Sequence, residues 1–220
     1  MLRDVVFEEG NDLWKWKWSR SGDFSVRSMY KELWRDRQST DHEVWPFAME
    51  VSWDKNLPLK IKFFIWTTLL GRILTNDNLI RRGKGVNPVC SECRMSNEDI
   101  PHLFLHCSRS LKVWKMILGP RQNVYEDIFA VDSLEDWLIA WPVGPVAELG
   151  SRVWELLPYA TAWILWKTRN CRVFQLKVKT VDSIVGEIKG TIWFWLGSWP
   201  RRKQYNFQDL LFNWDTILSV

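Results

Sequence analysis

The amino-acid sequence predicts a mainly helical fold with a small β-hairpin near the N-terminus, an α+β arrangement whose larger part resembles a helical bundle. Apolar and polar residues alternate over residues 12–18, whereas apolar residues recur at spacings of three and four over much of the remaining chain. Gly and Pro residues separate the helical segments. At 220 residues, 46% of them hydrophobic, the chain can form one good-sized domain or two small ones with a real core.

The N-terminal segment predicts the hairpin and a helix after it. Period-two alternation puts three tryptophans on one face of a strand: Trp14, Trp16 and Trp18. Polar residues and a glycine over 19–23 form a turn that leads into a short second strand at Phe24. Ser25 is placed to cap a helix over residues 26–37.

Three helices are predicted in the middle of the chain. One begins at Pro58 and ends at Gly71, with apolar residues on its inner face. A short one is capped by Thr75 and stopped by Gly83. A third follows a cluster of cysteines and ends at Gly119.

The second half of the chain also predicts helices. Residues 127–141 have a moderately helical pattern. A Trp-rich helix covers 153–174, and Pro158 either starts or interrupts it. The last predicted helix covers 181–196, with Thr180 as its cap.

Basic residues are concentrated in the first half of a mildly basic chain of net charge +4. Residues 1–120 hold 19 Lys and Arg against 15 Asp and Glu, and residues 121–220 hold 11 of each. Residues 55–84 alone have a net charge of +6. Such a stretch either contacts the phosphates of a nucleic acid or forms a solvated helix face. The candidates for phosphate contact are Lys60, Lys62, Arg81, Arg82 and Lys84.

No apolar run approaches the length of about 18 residues that a membrane span needs. The N-terminal residues also lack the apolar stretch of a signal peptide. We therefore expect an intracellular protein that is not secreted, and in a reducing compartment closely spaced cysteines indicate metal or redox chemistry before disulfides.

A cysteine cluster predicts one structural zinc site with four ligands: Cys90, Cys93, His102 and Cys107. Two Cys separated by two residues supply two ligands from one turn, and a second segment supplies the others. A closed set of four protein ligands leaves no position for a substrate. His106 is the alternative to His102, and a redox pair or ordinary buried cysteines are the alternatives to a metal site. Cys171 is expected in the core.

The order of these features resembles a known family over about residues 11–117. The matching motifs are Asp12-x-Trp14-x-Trp16, Gly22-x-Phe24-Ser25-Val26-x-Ser28-x-Tyr30, Trp53, Pro58-x-Lys60-x-Lys62-x-Phe64-x-Trp66, Cys90-x-x-Cys93, His102-Leu103-Phe104-x-x-Cys107 and Trp114. They resemble the zinc-binding domain that follows the reverse transcriptase in plant non-LTR (LINE-type) retrotransposons. The downstream motifs Trp154-x-x-Leu157-Pro158 and Trp163-x-x-Trp166-Lys167-x-Arg169-Asn170 are similar to the segment that follows this domain in those elements and in truncated derivatives of them.

The resemblance implies a non-catalytic, zinc-stabilised module that binds RNA or DNA in the nucleus. A polymerase palm needs adjacent aspartates for two metal ions, and the sequence contains no Asp-Asp pair. Nor do residues 121–220 show the strand pattern that would gather ribonuclease H carboxylates. The alternatives are a scaffold that docks a retroelement polymerase or a host protein, and a remnant without a selected function.

The domain organisation that we predict has three parts. Residues 1–120 form the reverse-transcriptase-type zinc-binding domain, and residues 121–145 form a connecting helix with a Pro/Gly linker. Residues 146–220 form a Trp-rich helical region.

Overall fold

The computed structural model describes residues 15–17, 19, 21–25, 28, 52–53, 57–119, 121–127 and 130–219. The chain divides into two compact units, residues 1–46 and residues 47–220. Most of the predicted hairpin and of the 26–37 helix lies outside the described residues, so both stay predictions. In the described part of the first unit, the Trp16 main-chain N–H donates to the Gly22 carbonyl at 2.6 Å and closes a turn.

The middle of the chain is helical where periodicity predicts it. In chain order, the elements are α1 (Leu59–Leu69), α2 (Asn76–Arg81), a π-helical turn (His102–His106) and α3 (Ser108–Leu118). Thr75 is the N-cap residue of α2, as predicted, and Gly83 has the positive φ of 75° that glycine adopts readily. The inner face of α1 is buried at Ile61, Phe64 and Ile65.

The C-terminal part of the chain is also helical. Its elements are α4 (Gln122–Asp127), α5 (Leu134–Ile139), α6 (Glu148–Gln175), α7 (Val181–Trp195), 3₁₀ turns at Leu196–Ser198 and Pro200–Gln204, α8 (Phe207–Phe212) and α9 (Trp214–Ser219). Thr180 caps α7 by accepting a hydrogen bond from the Ser183 main-chain N–H at 3.2 Å, as predicted. None of the described helices is both long enough and apolar enough to cross a bilayer.

Two predicted helices differ in extent from those observed. The predicted 127–141 helix is too long, because α4 ends at its first residue, Asp127, and α5 covers only Leu134–Ile139. The Trp-rich helix starts at Glu148 and continues through Pro158. A proline inside a helix costs about 3 kcal/mol, and the buried residues on both sides of Pro158 offset that cost.

One hydrophobic core runs through residues 57–218, and α6 and α7 pack against each other within it. Tryptophans fill much of this core. Trp137 packs edge-on against Trp114 at 4.9 Å between ring centroids, and Trp141 lies 4.8 Å from Trp154. Trp163 and Trp166 are partly buried against the same core, as their apolar pattern predicts.

Candidate metal centre

The first two cysteines lie in a tight loop that follows α2. Val89 and Asn97 form an isolated antiparallel bridge across the base of this loop. The Cys90 main-chain N–H donates to the Ser96 carbonyl at 2.8 Å, and Arg94 at the turn has a positive φ of 59°. The backbone therefore fixes the positions of Cys90 and Cys93 independently of their side chains.

The π-helical turn positions the other two ligands. The Cys107 main-chain N–H donates to the His102 carbonyl at 2.6 Å, across five residues instead of four. The widened turn buries Leu103, Phe104 and Leu105 in succession. Side chains of α3 complete the main-chain hydrogen bonds of the turn: the Ser110 hydroxyl donates to the Leu103 carbonyl at 2.6 Å, and the Trp114 indole donates to the Phe104 carbonyl at 2.7 Å. π-Helical turns are frequent at functional sites.

The four side chains converge as a tetrahedral zinc site requires. Their ligand atoms all lie within 4.8 Å of one another. With ordinary zinc bond lengths, a tetrahedron separates two sulfurs by about 3.8 Å and a sulfur from a nitrogen by about 3.6 Å. Cys90 Sγ lies 4.0 Å from Cys107 Sγ, and Cys93 Sγ lies 3.3 Å from His102 Nε2. Three thiols and one imidazole at this spacing fit zinc, and this set is the chain's candidate zinc-binding site.

The ligand side chains perturb one another's pKa values. The hydrogen bond with Cys107, together with burial, raises the pKa of Cys90 to about 12. The same hydrogen bond lowers the pKa of Cys107. The hydrogen bond with Cys90 raises the pKa of His102 to about 9. Zinc binding requires thiolates and a neutral imidazole, so loading of the site releases these protons.

Glu92, between the two loop cysteines, connects the site to the helices around it. Its carboxylate is 6% exposed and lies 2.8 Å from Nε of Arg109, near the start of α3. A second guanidinium, that of Arg172 on α6, lies at 3.8 Å. Burial raises the pKa of Glu92, and the two guanidinium groups oppose that shift. Arg109 also donates to the Lys179 carbonyl, which lies just before α7.

Glu98 makes a second connection at the other end of the loop. The Arg169 guanidinium on α6 contacts the Glu98 carboxylate through Nε and a terminal nitrogen, at distances of 2.6–3.1 Å. Glu98 also accepts the first main-chain N–H of α2, that of Asn76, at 3.0 Å. The Asn76 side-chain oxygen accepts from Arg169 at 2.8 Å. These buried contacts hold α2, the loop and α6 together.

Three of the predicted basic residues lie together at the end of α2. Arg81 is 68% exposed and forms an ion pair with Asp77 at 2.8 Å. Arg82 is exposed and donates to the main-chain carbonyl of Arg72 at 3.2 Å. Lys84 is exposed in the segment that enters the zinc loop. Within the part of the chain that the structure describes, neither Arg82 nor Lys84 forms an ion pair.

The two predicted lysines of α1 have other surroundings. Lys60 is exposed, and its ammonium lies 5.9 Å from the centroid of the Trp163 ring. The Lys62 ammonium donates to the Trp53 main-chain carbonyl at 2.9 Å. Lys60 is therefore the more accessible of the two.

The structure also decides between the alternative ligands. His102, and not His106, belongs to the four-residue set. Cys171 lies outside the set and is partly exposed on α6, whereas the sequence predicts it in the core. Sequence reasoning missed the partners of Glu92 and Glu98. The one available signal is that both acids lie within the cysteine segment, and nothing in the sequence indicates partners as far away as α6.

Comparison with known proteins identifies the zinc segment. Residues 24–114 match the family described as zinc-binding in reverse transcriptase. The chain is also 26% identical over 186 residues to an Arabidopsis thaliana protein named "Putative ribonuclease H protein". That alignment covers 83% of this chain but 29% of the relative's length. No solved structure matches the chain.

Proposed function

We propose that this chain is a zinc-stabilised nucleic-acid-binding module derived from a retrotransposon, because residues 24–114 match the family described as zinc-binding in reverse transcriptase. The metal holds the loop between α2 and α3, and basic side chains next to that loop contact phosphates. The proposal places the chain in the nucleus, where its nucleic-acid target lies.

The observation that carries the proposal is the position of Arg82 and Lys84. Both are exposed, and they lie between α2 and Cys90. Backbone contacts fix the segment at both ends: the Lys84 N–H donates to the Leu79 carbonyl at 3.0 Å, and the Cys90 N–H donates to the Ser96 carbonyl at 2.8 Å. The backbone that carries these cations is therefore ordered before binding, which lowers the entropic cost of association.

The remaining predicted contacts differ in strength. The Asp77 carboxylate offsets the charge of Arg81, and the Lys62 ammonium already has a carbonyl partner. We propose that Arg82, Lys84 and Lys60 contribute most to phosphate binding, and that Arg81 and Lys62 contribute less.

The proposed module is not an enzyme. The words "ribonuclease H" in the name of the Arabidopsis relative describe that protein, and the chain covers only 29% of its length. The sequence has no adjacent aspartates for a polymerase metal pair. We therefore expect neither primer extension nor cleavage of an RNA–DNA hybrid by the purified chain with Mg²⁺ or Mn²⁺. Divalent-dependent activity above that of a mock preparation would contradict this.

Salt-dependent binding tests the function. Fluorescence anisotropy measures the affinity for labelled RNA and DNA at several salt concentrations. The logarithm of the association constant should fall linearly with the logarithm of the salt concentration, with a slope of about −0.7 to −0.9 per phosphate contact. Combined replacement of Arg82 and Lys84 by Ala should weaken binding and reduce that slope by about two contacts. The matched control is Lys112→Ala with Lys115→Ala, which removes the same charge from exposed positions of α3. Equal losses in both variants, or no binding at low salt, would contradict the proposal.

A scaffold role is the second candidate, because three large apolar side chains are exposed at the end of α6 and just after it. Phe174 is 75% exposed, Leu176 86% and Val178 65%. Such a strip is suited to a protein partner, either a retroelement polymerase or a host protein. Specific retention of a co-expressed polymerase segment, lost when Leu176 and Val178 are replaced by Ser, would favour this role if nucleic-acid binding is absent.

A further inference from the structure

A groove next to the zinc loop is the feature that the zinc site and the basic residues of α2 leave unexplained. It lies between α2, the loop and the last turn of α6, and its volume is about 530 Å³. Ligand sites commonly measure about 300–1,000 Å³. Cys90 and Arg169 contribute to its lining, so the groove adjoins both the metal site and the buried Arg169–Glu98 pair.

The groove has apolar walls and a polar rim. Leu79, Val89 and Val173 line it together with Phe174, whose side chain is 75% exposed. Arg94, which is exposed at the turn of the zinc loop, lies at the rim. Arg169 is not available to a ligand, because its guanidinium is buried on Glu98 and Asn76. A ligand would therefore meet flat apolar surface inside the groove and positive charge at its edge.

The charge around the groove indicates the class of ligand. Residues 78–91 and residues 156–181, which supply most of its lining, contain no Asp or Glu, and Asp77, next to the lining residue Asn76, is paired with Arg81. The nearby acids of the loop, Glu92 and Glu98, are already paired with arginines. Among the described residues, five exposed cations of these segments and of the loop lie outside ion pairs, and one of them, Arg94, lines the groove; the others are Arg82, Lys84, Lys167 and Lys177. This surface complements a polyanion that also carries flat apolar groups.

We propose that the groove binds an unpaired base of a single-stranded nucleic acid, with Phe174 as the stacking platform and Arg94 on the adjacent phosphate. This inference rests on the proposed function and specifies its ligand. Bases stack on exposed aromatic rings with little dependence on sequence. In a duplex the bases are stacked on one another, so the groove discriminates single strands from double strands.

The test compares Phe174→Ala with two matched variants in anisotropy titrations of labelled oligouridine, oligothymidine and a duplex. Phe174→Ala should weaken single-strand binding by about 5- to 150-fold, the loss expected for one stacked base. Phe174→Tyr should retain binding. Phe212→Ala removes a ring that is equally exposed, at 81%, on α8, and it should bind as the parent does. The ratio of the oligouridine and oligothymidine affinities reports the RNA or DNA preference.

The salt slope separates failure of this inference from failure of the proposed function. Phe174→Ala changes no charge, so it should lower affinity at an unchanged slope, whereas Arg94→Ala should reduce the slope by about one contact. If Phe174→Ala leaves salt-dependent binding unchanged, the proposal that the groove binds a base is wrong, whereas the proposed nucleic-acid-binding function is retained. An equal loss for duplex and single strand would also overturn the groove proposal. Absence of all binding at low salt would overturn both proposals.

A crosslinking experiment locates the base directly. Oligouridine that contains 4-thiouridine, irradiated in complex with the parent protein, should crosslink to peptides that contain residues 86–94 or 173–174. Crosslinks confined to other peptides would contradict the placement.

Discussion

The Arg169 guanidinium lies 2.6 Å from the Glu98 carboxylate, and these side chains are only 1% and 0% exposed. The pair joins α6 to the segment between the two halves of the zinc site, across 71 positions of sequence. The loop is therefore held both by its metal ligands and by the long helix α6. This contact makes the stability of the zinc segment depend on residues beyond the 24–114 match.

Breaking this pair should strongly destabilise the protein. Arg169→Leu leaves a buried carboxylate without its partner, and such changes cost about 3–5 kcal/mol. Urea denaturation followed by tryptophan fluorescence measures the free energy of unfolding. The matched control is Arg152→Leu, which removes an arginine from the exposed Arg152–Glu155 pair of α6. An exposed pair contributes about 0–1 kcal/mol, and equal costs for the two variants would show that the buried contact is not a structural element.

Metal removal should act through the same loop. Cys90→Ser replaces a fully buried ligand, so we expect the variant to lose its zinc and several kcal/mol of stability. Inductively coupled plasma mass spectrometry should find one zinc per chain in the parent protein, and a chelator should lower the Tm of the parent protein. Cys171→Ser is the control, since Cys171 lies outside the ligand set. A zinc-free parent, or a Cys90→Ser variant as stable as Cys171→Ser, would contradict the site.

The metal ligands were predictable from sequence because they depend on short spacings. Cys90 and Cys93 share one turn, and His102 begins the π-helical turn that Cys107 directly follows. The widened turn itself was not predictable, since three consecutive apolar residues fit several local structures. The partner of Glu98 was not predictable either, because a contact across 71 positions depends on how the helices pack.

The predicted helix boundaries are wrong where tertiary packing overrides local propensity. Pro158 is expected to start or break a helix, yet α6 passes through it because the residues on both sides are buried in the core. The periodic pattern over residues 181–196 agrees with α7, whose capping threonine is a local signal. Local patterns thus predicted the elements, and packing decided their extent.

Close packing at Gly150 predicts a second large effect. A Cβ added at this position in α6 would overlap the main-chain carbonyl oxygen of Ile217 and would lie 3.0 Å from Cβ of Pro145. Gly150→Ala should therefore cost about 1–3 kcal/mol through overpacking. Gly186→Ala in α7 is the matched change, because an added Cβ there meets nothing within 4 Å. It should instead stabilise the protein by about 0.5–1 kcal/mol, and a destabilising Gly186→Ala would contradict the packing described for α7.

The C-terminal helix α9 should depend on one indole hydrogen bond. Trp214 is 3% exposed, and its Nε1–H donates to the Ile117 carbonyl at 2.8 Å, in the last turn of α3, where helical carbonyls lack main-chain partners. Trp214→Phe leaves that carbonyl without this donor and should cost about 1–3 kcal/mol in urea denaturation. Trp199→Phe is the matched control, because Trp199 is only partly buried and stacks on Tyr205 at 5.8 Å. If α9 were a dispensable tail, the two substitutions would cost the same. A larger cost for Trp214→Phe would mean that the end of the chain stabilises the helix that follows the zinc site.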